Sequence, residues 1–468
     1  MSLEIPKEIT LDYLTDNVCN GEWAEYVDNH YRDLLNQFED EELVDACRAL
    51  AYSLIHMIDG TDMSKESFET ARHTIEICRV GFNSVSDYPD KDKITELTIR
   101  NSAGLGDLMC YMGVSMINSG RPIAAFGCFS TAEHYYTNTK ALFEKTNPKY
   151  ANEMSIAYEH CRAKEAELYL RLIPDIPLEH RALFSNIANS YLNHAINNLD
   201  EYGDADGVSY YCNLLPNCID KCIRYPITTP EDIDEMNRNT ITDDYVDWCQ
   251  NKVFFLNIFN EVPNFSSKYA KDDVRMDLEE RYQWLLDDIL STYDHCRRTF
   301  YRVAKDTLSF IDKERDDDVE SIIDCFVRLY GILDKVAKLI YHLFCRDRNL
   351  EDLKFYTVAS SLSSDPNPYL QSLFKICRDV FPDKFESSKG IYDPRNNIYG
   401  RIMKRGFIRN CIMHDTLKIS NNINDTGHYY NVATVSPLDL AHCTQMMFYD
   451  VREVILNMQL AYEYRKTN

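Results

Sequence analysis

Apolar residues recur every three to four positions over most of this chain, the spacing that gives an α-helix one oily face. Two early segments show it plainly, "ELVDACRALAYSLIHMI" from Glu42 and "SFETARHTIEICRVGF" from Ser67. Residues 1–225 read as a succession of such helices with short breaks. The segment "YPITTPEDIDEMNRNTITDDY" then interrupts the pattern with two prolines and several Asp, Thr and Asn, so 226–244 reads as a linker. Beyond it the period returns in longer runs, predicting helices over about 274–304, 319–345, 367–381, 393–420 and 436–465. Asp393 with Pro394 and Ser436 with Pro437 open the last two, in N-cap and first-turn positions. An all-α chain follows, with residues 245–468 as a bundle of four or five helices.

Within the first half, "MCYMGVSMINSGRPIAAFGCFSTAEHYY" has Gly113, Met116, Gly120, Pro122, Ala125, Phe129 and Ala132 at the offsets of a tetratricopeptide repeat, which it resembles. Ala188 and Tyr191 in "ALFSNIANSYLNHAI" are a weaker echo. The resemblance implies a stack of helical hairpins over 1–225, in which small residues let paired helices approach closely. A generic helical bundle is the alternative.

Composition sharpens this. Only 15 Gly and 15 Pro occur in 468 residues, which favours helices over a turn-rich β fold. No run reaches the roughly 18 apolar residues a membrane span needs. The start, "MSLEIPKEIT", has neither a basic nor an apolar leader region, so a cytoplasmic protein without membrane contact is expected. Sixteen scattered cysteines fit buried thiols. The tightest group, Cys212, Cys218 and Cys222, lacks zinc-ligand spacing and a nearby His, so no metal and no cofactor is expected.

Charge then singles out one place. The chain carries a formal −25, which argues against general nucleic-acid binding. Yet between Lys384 and Lys418 eight Lys/Arg face three Asp/Glu, a local excess of +5. Arg401, Arg405 and Arg409 recur at four-residue spacing with Lys404 among them, and Asn410 and His414 stand one helical turn apart. Arginine forks can hold a phosphate and the charge developing on it, and an imidazole exchanges protons near neutral pH. RNA supplies its own nucleophile in the 2′-hydroxyl, so these residues suit RNA cleavage without a metal. Arg401, Lys404 and Arg405 would bind the RNA backbone.

The segment "RNCIMH" resembles the R-x4–6-H signature of the HEPN superfamily, in which a polar residue follows the Arg. Two further segments precede it in order. "RLYGILDKVAKLIYHLF" is similar to a "Y-x-x-L-D-K-x-A" element of one HEPN subfamily through Tyr330, Leu333, Asp334, Lys335 and Ala337. "YVDWCQNKVFFLNIFNEV" resembles its entry segment through Trp248, Cys249, Asn251, Leu256, Asn257 and Asn260. The resemblance covers 245–468, and members often carry tetratricopeptide-like helices in front. It implies a ribonuclease with Arg409, Asn410 and His414 as the active motif, dimerising so that two motifs face one groove. It also implies an acidic residue that positions the Arg; Asp334 is the candidate, with Lys338 one turn on. A plain helix ion pair is the other reading of Asp334 and Lys338. Met413 departs from the subfamily, which commonly has Glu before the His. His342, two turns beyond Asp334, is a further candidate for the site.

The expectation is therefore a cytoplasmic, metal-independent endoribonuclease whose first half senses a protein or peptide trigger. The superfamily implies stress response or antiviral defence. A non-catalytic scaffold, with the second half serving dimerisation or nucleotide binding, is the rival expectation.

Overall fold

The computed structural model describes residues 5–6, 9–38, 42–58, 65–85, 91–176, 178–225, 244–256, 272, 274, 276–305, 317–381, 384–385, 416–419 and 432–467. These form an all-α protein that divides into two compact units, one of residues 1–85 with 95–238 and one of 86–94 with 239–468. Among the described residues no helix is long and apolar enough to cross a membrane.

The first unit is built from α1 (Leu11–Asn17), α2 (Gly21–Leu35), α3 (Leu43–Ile55), α4 (Lys65–Ser84), α6 (Ser102–Asn118), α7 (Pro122–Phe143), α8 (Pro148–Leu172), α9 (Leu178–Tyr202), α10 (Ala205–Cys212) and α11 (Leu215–Arg224); α5 (Lys91–Arg100) gives residues to both units. Consecutive long helices pack on one another, α6 on α7, α7 on α8 and α8 on α9. The α6–α7 pair shows why. Helix α6 ends in a Schellman turn: Gly120, at φ +74°, donates to the Ile117 carbonyl and Arg121 N–H reaches back to Met116 O at 2.8 Å. Pro122 then starts α7 with its fixed φ. The chain returns antiparallel, since Ser102 meets Thr139 (Oγ–Oγ 2.7 Å) while Gly113 lies against Phe129.

The helices approach so closely at Gly113 that a Cβ there would lie 2.7 Å from the Phe129 ring. Met116, Ala125, Phe129 and Ala132, read from the sequence as hairpin packing, are all buried. Gly113→Val is expected to cost about 1–3 kcal/mol of stability by overpacking. Urea unfolding of the full chain checks this; an unchanged midpoint would mean the pair spreads without cost.

The second unit holds α12 (Asp244–Asn251), α13 (Glu280–Ala304), α14 (Asp317–Phe344), α15 (Phe355–Ser360), α16 (Pro368–Val380) and α17 (Pro437–Thr467). Helix α14 packs on α13, α15 and α17, and α16 packs on α15 and α17. Helix α17 is the central one: Met447, Phe448, Val451, Val454, Ile455, Met458 and Ala461 are all buried. The Phe448 ring sits 4.7 Å from Phe254, 5.3 Å from Phe300 and 5.5 Å from Tyr293, an aromatic core that α13 and the end of the entry segment share.

Four of the expected C-terminal helices are present within a few residues of the bounds read from the sequence, though α13 starts later, at Glu280. The helix expected over 393–420 needs correction at its end. Thr416–Ile419 (β1) is a strand, paired in parallel with Val432–Val435 (β2). Both carry β-branched residues in at least half their positions, which fit a pleated surface better than a helix. The remainder of that expected helix, including Asp393 and Pro394, lies outside the described residues.

Among the described residues every cysteine is a free thiol. Cys218 and Cys222 both turn their sulfurs toward the Ser185 carbonyl, and burial pushes the Cys218 thiol up to about 12. No group of three or more His, Cys, Asp or Glu among the described residues is arranged to hold a metal ion.

Candidate functional site

Helix α14 carries the second of the three sequence elements that point to chemistry. Acidic Asp317, Asp318 and Glu320 occupy its first turn, where the helix dipole favours negative charge. Its buried stripe runs through Ile322, Phe326, Leu329, Leu333, Val336 and Ile340. Tyr330 and Ala337 are buried as well, so most of the "Y-x-x-L-D-K-x-A" pattern describes packing. Lys335 leaves the helix toward α13, pairing with Asp288 at 2.7 Å and donating to Thr292 Oγ1 at 3.3 Å.

Asp334 is half-buried, and its Oδ1 accepts the Phe355 N–H at 3.1 Å. Phe355 is the first residue of α15, whose own N-cap residue, Lys354, offers no side-chain cap. A carboxylate from a neighbouring helix thus satisfies one of the N–H groups that a helix start leaves open. Lys338 is exposed, and among the described residues it has no hydrogen-bond or ion-pair partner. The i,i+4 ion pair between Asp334 and Lys338 is therefore not formed.

This separates two roles for Asp334. Asp334→Ala is expected to cost about 0.5–2 kcal/mol as a lost cap, whereas Asp334→Asn keeps an acceptor oxygen and most of the stability. Thermal unfolding of both variants checks it; equal losses would show that charge, not the acceptor, does the holding.

The entry segment is tied down by Arg297, a side chain only 3 % exposed. Its guanidinium meets Asp272 at 2.7 and 2.8 Å, Asp294 at 2.7 Å, the Tyr245 hydroxyl at 2.9 Å and the Phe254 carbonyl at 3.2 Å. Asp272 also accepts the Leu256 N–H at 2.8 Å. Val253, just before, sits at φ +56°, a left-handed conformation that is rare for a β-branched residue. Cys249 is buried and its thiol is pushed up to about 12 by that burial. Phe254 and Phe255 are core residues, and Trp248 is half-buried against Phe254 at 5.2 Å. Asn257 and Asn260 lie outside the described residues.

Arg401, Lys404, Arg405, Arg409, Asn410 and His414 also lie outside the described residues. His342 is described, in a cleft at the C-terminal end of α14 with Arg346 and Arg465. Neither arginine stands out in the sequence, although His342 and Arg346 are one helical turn apart. That spacing is the one signal that could have pointed to Arg346; Arg465, more than a hundred residues away, had none.

No family model, curated protein or solved structure matches this chain.

Proposed function

We propose that this protein is a metal-independent endoribonuclease of the HEPN type. The observation that carries the reading is the motif Arg409, Asn410 and His414 within a basic island of a chain whose net charge is −25. The two segments that precede it in order, through Trp248 and through Tyr330 to Ala337, support it, as does the all-α second unit with its long paired helices.

In this reading Arg401, Lys404 and Arg405 draw in the RNA backbone. One imidazole, His414, takes the proton of the 2′-hydroxyl as that oxygen attacks the neighbouring phosphorus. The bond to the 5′-oxygen breaks, and the proton held on the imidazolium passes to that leaving oxygen, which restores the neutral ring. Arg409 steadies the charge on the pentavalent phosphate and Asn410 orients the phosphate or the ring. The products are a 2′,3′-cyclic phosphate, or the 3′-phosphate from its hydrolysis, and a 5′-hydroxyl. A homodimer through the second unit, a cytoplasmic location, control of the nuclease by the first unit, and a role in stress response or antiviral defence belong to the same proposal.

The test is incubation of the purified full chain with total RNA and with tRNA in EDTA, with product ends mapped. Cleavage that survives EDTA and leaves cyclic or 3′-phosphate ends is expected. Ends bearing a 5′-phosphate, or dependence on added metal, would overturn the mechanism. No cleavage at all would favour the scaffold reading. That rival draws on Ile219 and Ile223, one turn apart on α11 and 46 % and 75 % exposed, an apolar pair of the kind a partner protein covers.

A further inference from the structure

Near the start of α13 and the ends of α14 and α17, the second unit has a cleft of about 420 Å³. Its volume falls in the range of small-ligand sites. Two arginines line it, and both are held by neutral groups. Arg346 donates from Nη2 to the Tyr282 hydroxyl at 2.7 Å and from Nε to the His342 carbonyl at 2.6 Å, and lies 5.4 Å from the centre of the Tyr282 ring. Arg465 donates to the Leu343 carbonyl and stands 5.9 Å over the Phe344 ring. Among the described residues neither arginine has a carboxylate at ion-pair distance.

The chain as a whole has 75 acidic residues to 50 basic ones. Elsewhere in the unit Arg297, Arg298, Arg328 and Arg348 each pair with an aspartate at 2.6–2.9 Å. Three acidic residues also line the cleft, and among the described residues none is at ion-pair distance from either arginine: Glu279 is taken by Arg281 at 2.9 Å, and Asp277 and Asp347 stand farther from both guanidinium groups. Both guanidinium groups are exposed, prepositioned, and keep unused donors. The His342 ring completes the wall, 5.2 Å from the Tyr282 ring at an interplanar angle of 33°.

We propose that this cleft binds a mononucleotide, with its phosphate between Arg346 and Arg465 and its base or sugar against the aromatic side chains of Tyr282 and Phe344. Guanidinium forks match phosphate oxygens, and fixed forks give up little freedom on binding. Flat rings offer a base a stacking surface, whatever its identity. Burial and the charges of Arg346 and Arg281 hold the His342 imidazole below its usual range. The site uses none of residues 401–414 and stands or falls apart from the nuclease reading.

The experiment is a titration of the full chain, carrying ¹³C-labelled histidine, with AMP, UMP, inorganic phosphate and adenosine. The His342 signal is assigned with His342→Gln. A nucleotide phosphate is expected to raise the His342 pKa, because its charge offsets that of Arg346 and Arg281. Arg346→Gln or Arg465→Gln should weaken AMP about tenfold or more, the effect of one charge-assisted hydrogen bond. Asp347→Asn, which removes a negative charge from the cleft wall, should tighten binding, a gain that misfolding cannot mimic. No shift at His342 with any ligand, or AMP affinity unchanged in both arginine variants, would overturn the site. Equal affinity for phosphate and AMP would overturn the nucleotide assignment.

Discussion

His414→Ala is expected to lower RNA cleavage by about 10²–10⁴-fold, the usual contribution of a positioned general acid or base. In the proposed mechanism the residue takes a proton only while the 2′-oxygen attacks, so the loss should fall on the rate of the chemical step and leave RNA binding nearly intact. Arg409→Lys tests the other half of the motif. It keeps the charge but loses the planar fork, and removal of one such stabilising donor costs about 10²–10³-fold. Arg401→Gln and Lys404→Gln should behave differently. Each takes away a cation that neutralises an RNA phosphate, so binding weakens and its dependence on salt flattens. Single-turnover cleavage and filter binding on one RNA distinguish the two patterns. Cleavage by the His414→Ala protein at the wild-type rate would remove His414 from the mechanism.

The largest effect on stability is expected at Arg297. Arg297→Ala takes one guanidinium from a cluster in which Asp272, Asp294, the Tyr245 hydroxyl and the Phe254 carbonyl all accept from it. Breaking a buried ion pair from one side costs about 3–5 kcal/mol, because the partner charge is left uncompensated. Arg297→Lys should recover only part of this, since one ammonium cannot reach acceptors spread around a planar fork. Denaturant unfolding of the full chain reads the loss. A shift below about 1 kcal/mol would show that water replaces the guanidinium, as it does at exposed pairs.

Much of the helical architecture was legible because it depends on local periodicity. The α6–α7 hairpin was legible in more detail, since a turn glycine, a first-turn proline and a small residue facing a ring are local requirements with few substitutes. What the sequence did not disclose depends on distant partners. Asp334 looked like half of a helix ion pair or a catalytic helper, and its acceptor role appears only once α15 folds back to offer the Phe355 N–H. Arg297 drew no notice, because the acids that pair with it include Asp272, 25 residues away. The strand at Thr416 competes with an amphipathic helix pattern, and its pairing with Val432 decides the contest. Of the candidate site, Asp334, Lys338 and His342 are among the described residues, so the active motif still rests on its sequence.

The bond from Arg452 to the Phe255 carbonyl, at 2.8 Å, joins positions 197 residues apart. Closing so long a loop has an entropic cost that no early helix can offset alone, so this bond comes late in folding. It also sets an order in time. The entry segment leaves the ribosome long before the helix that covers it, and at about 5–20 residues per second that helix follows after roughly ten seconds or more. Until α17 arrives, the second unit lacks its central helix. In the proposed reading, the nuclease unit is therefore incomplete until α17 has emerged from the ribosome.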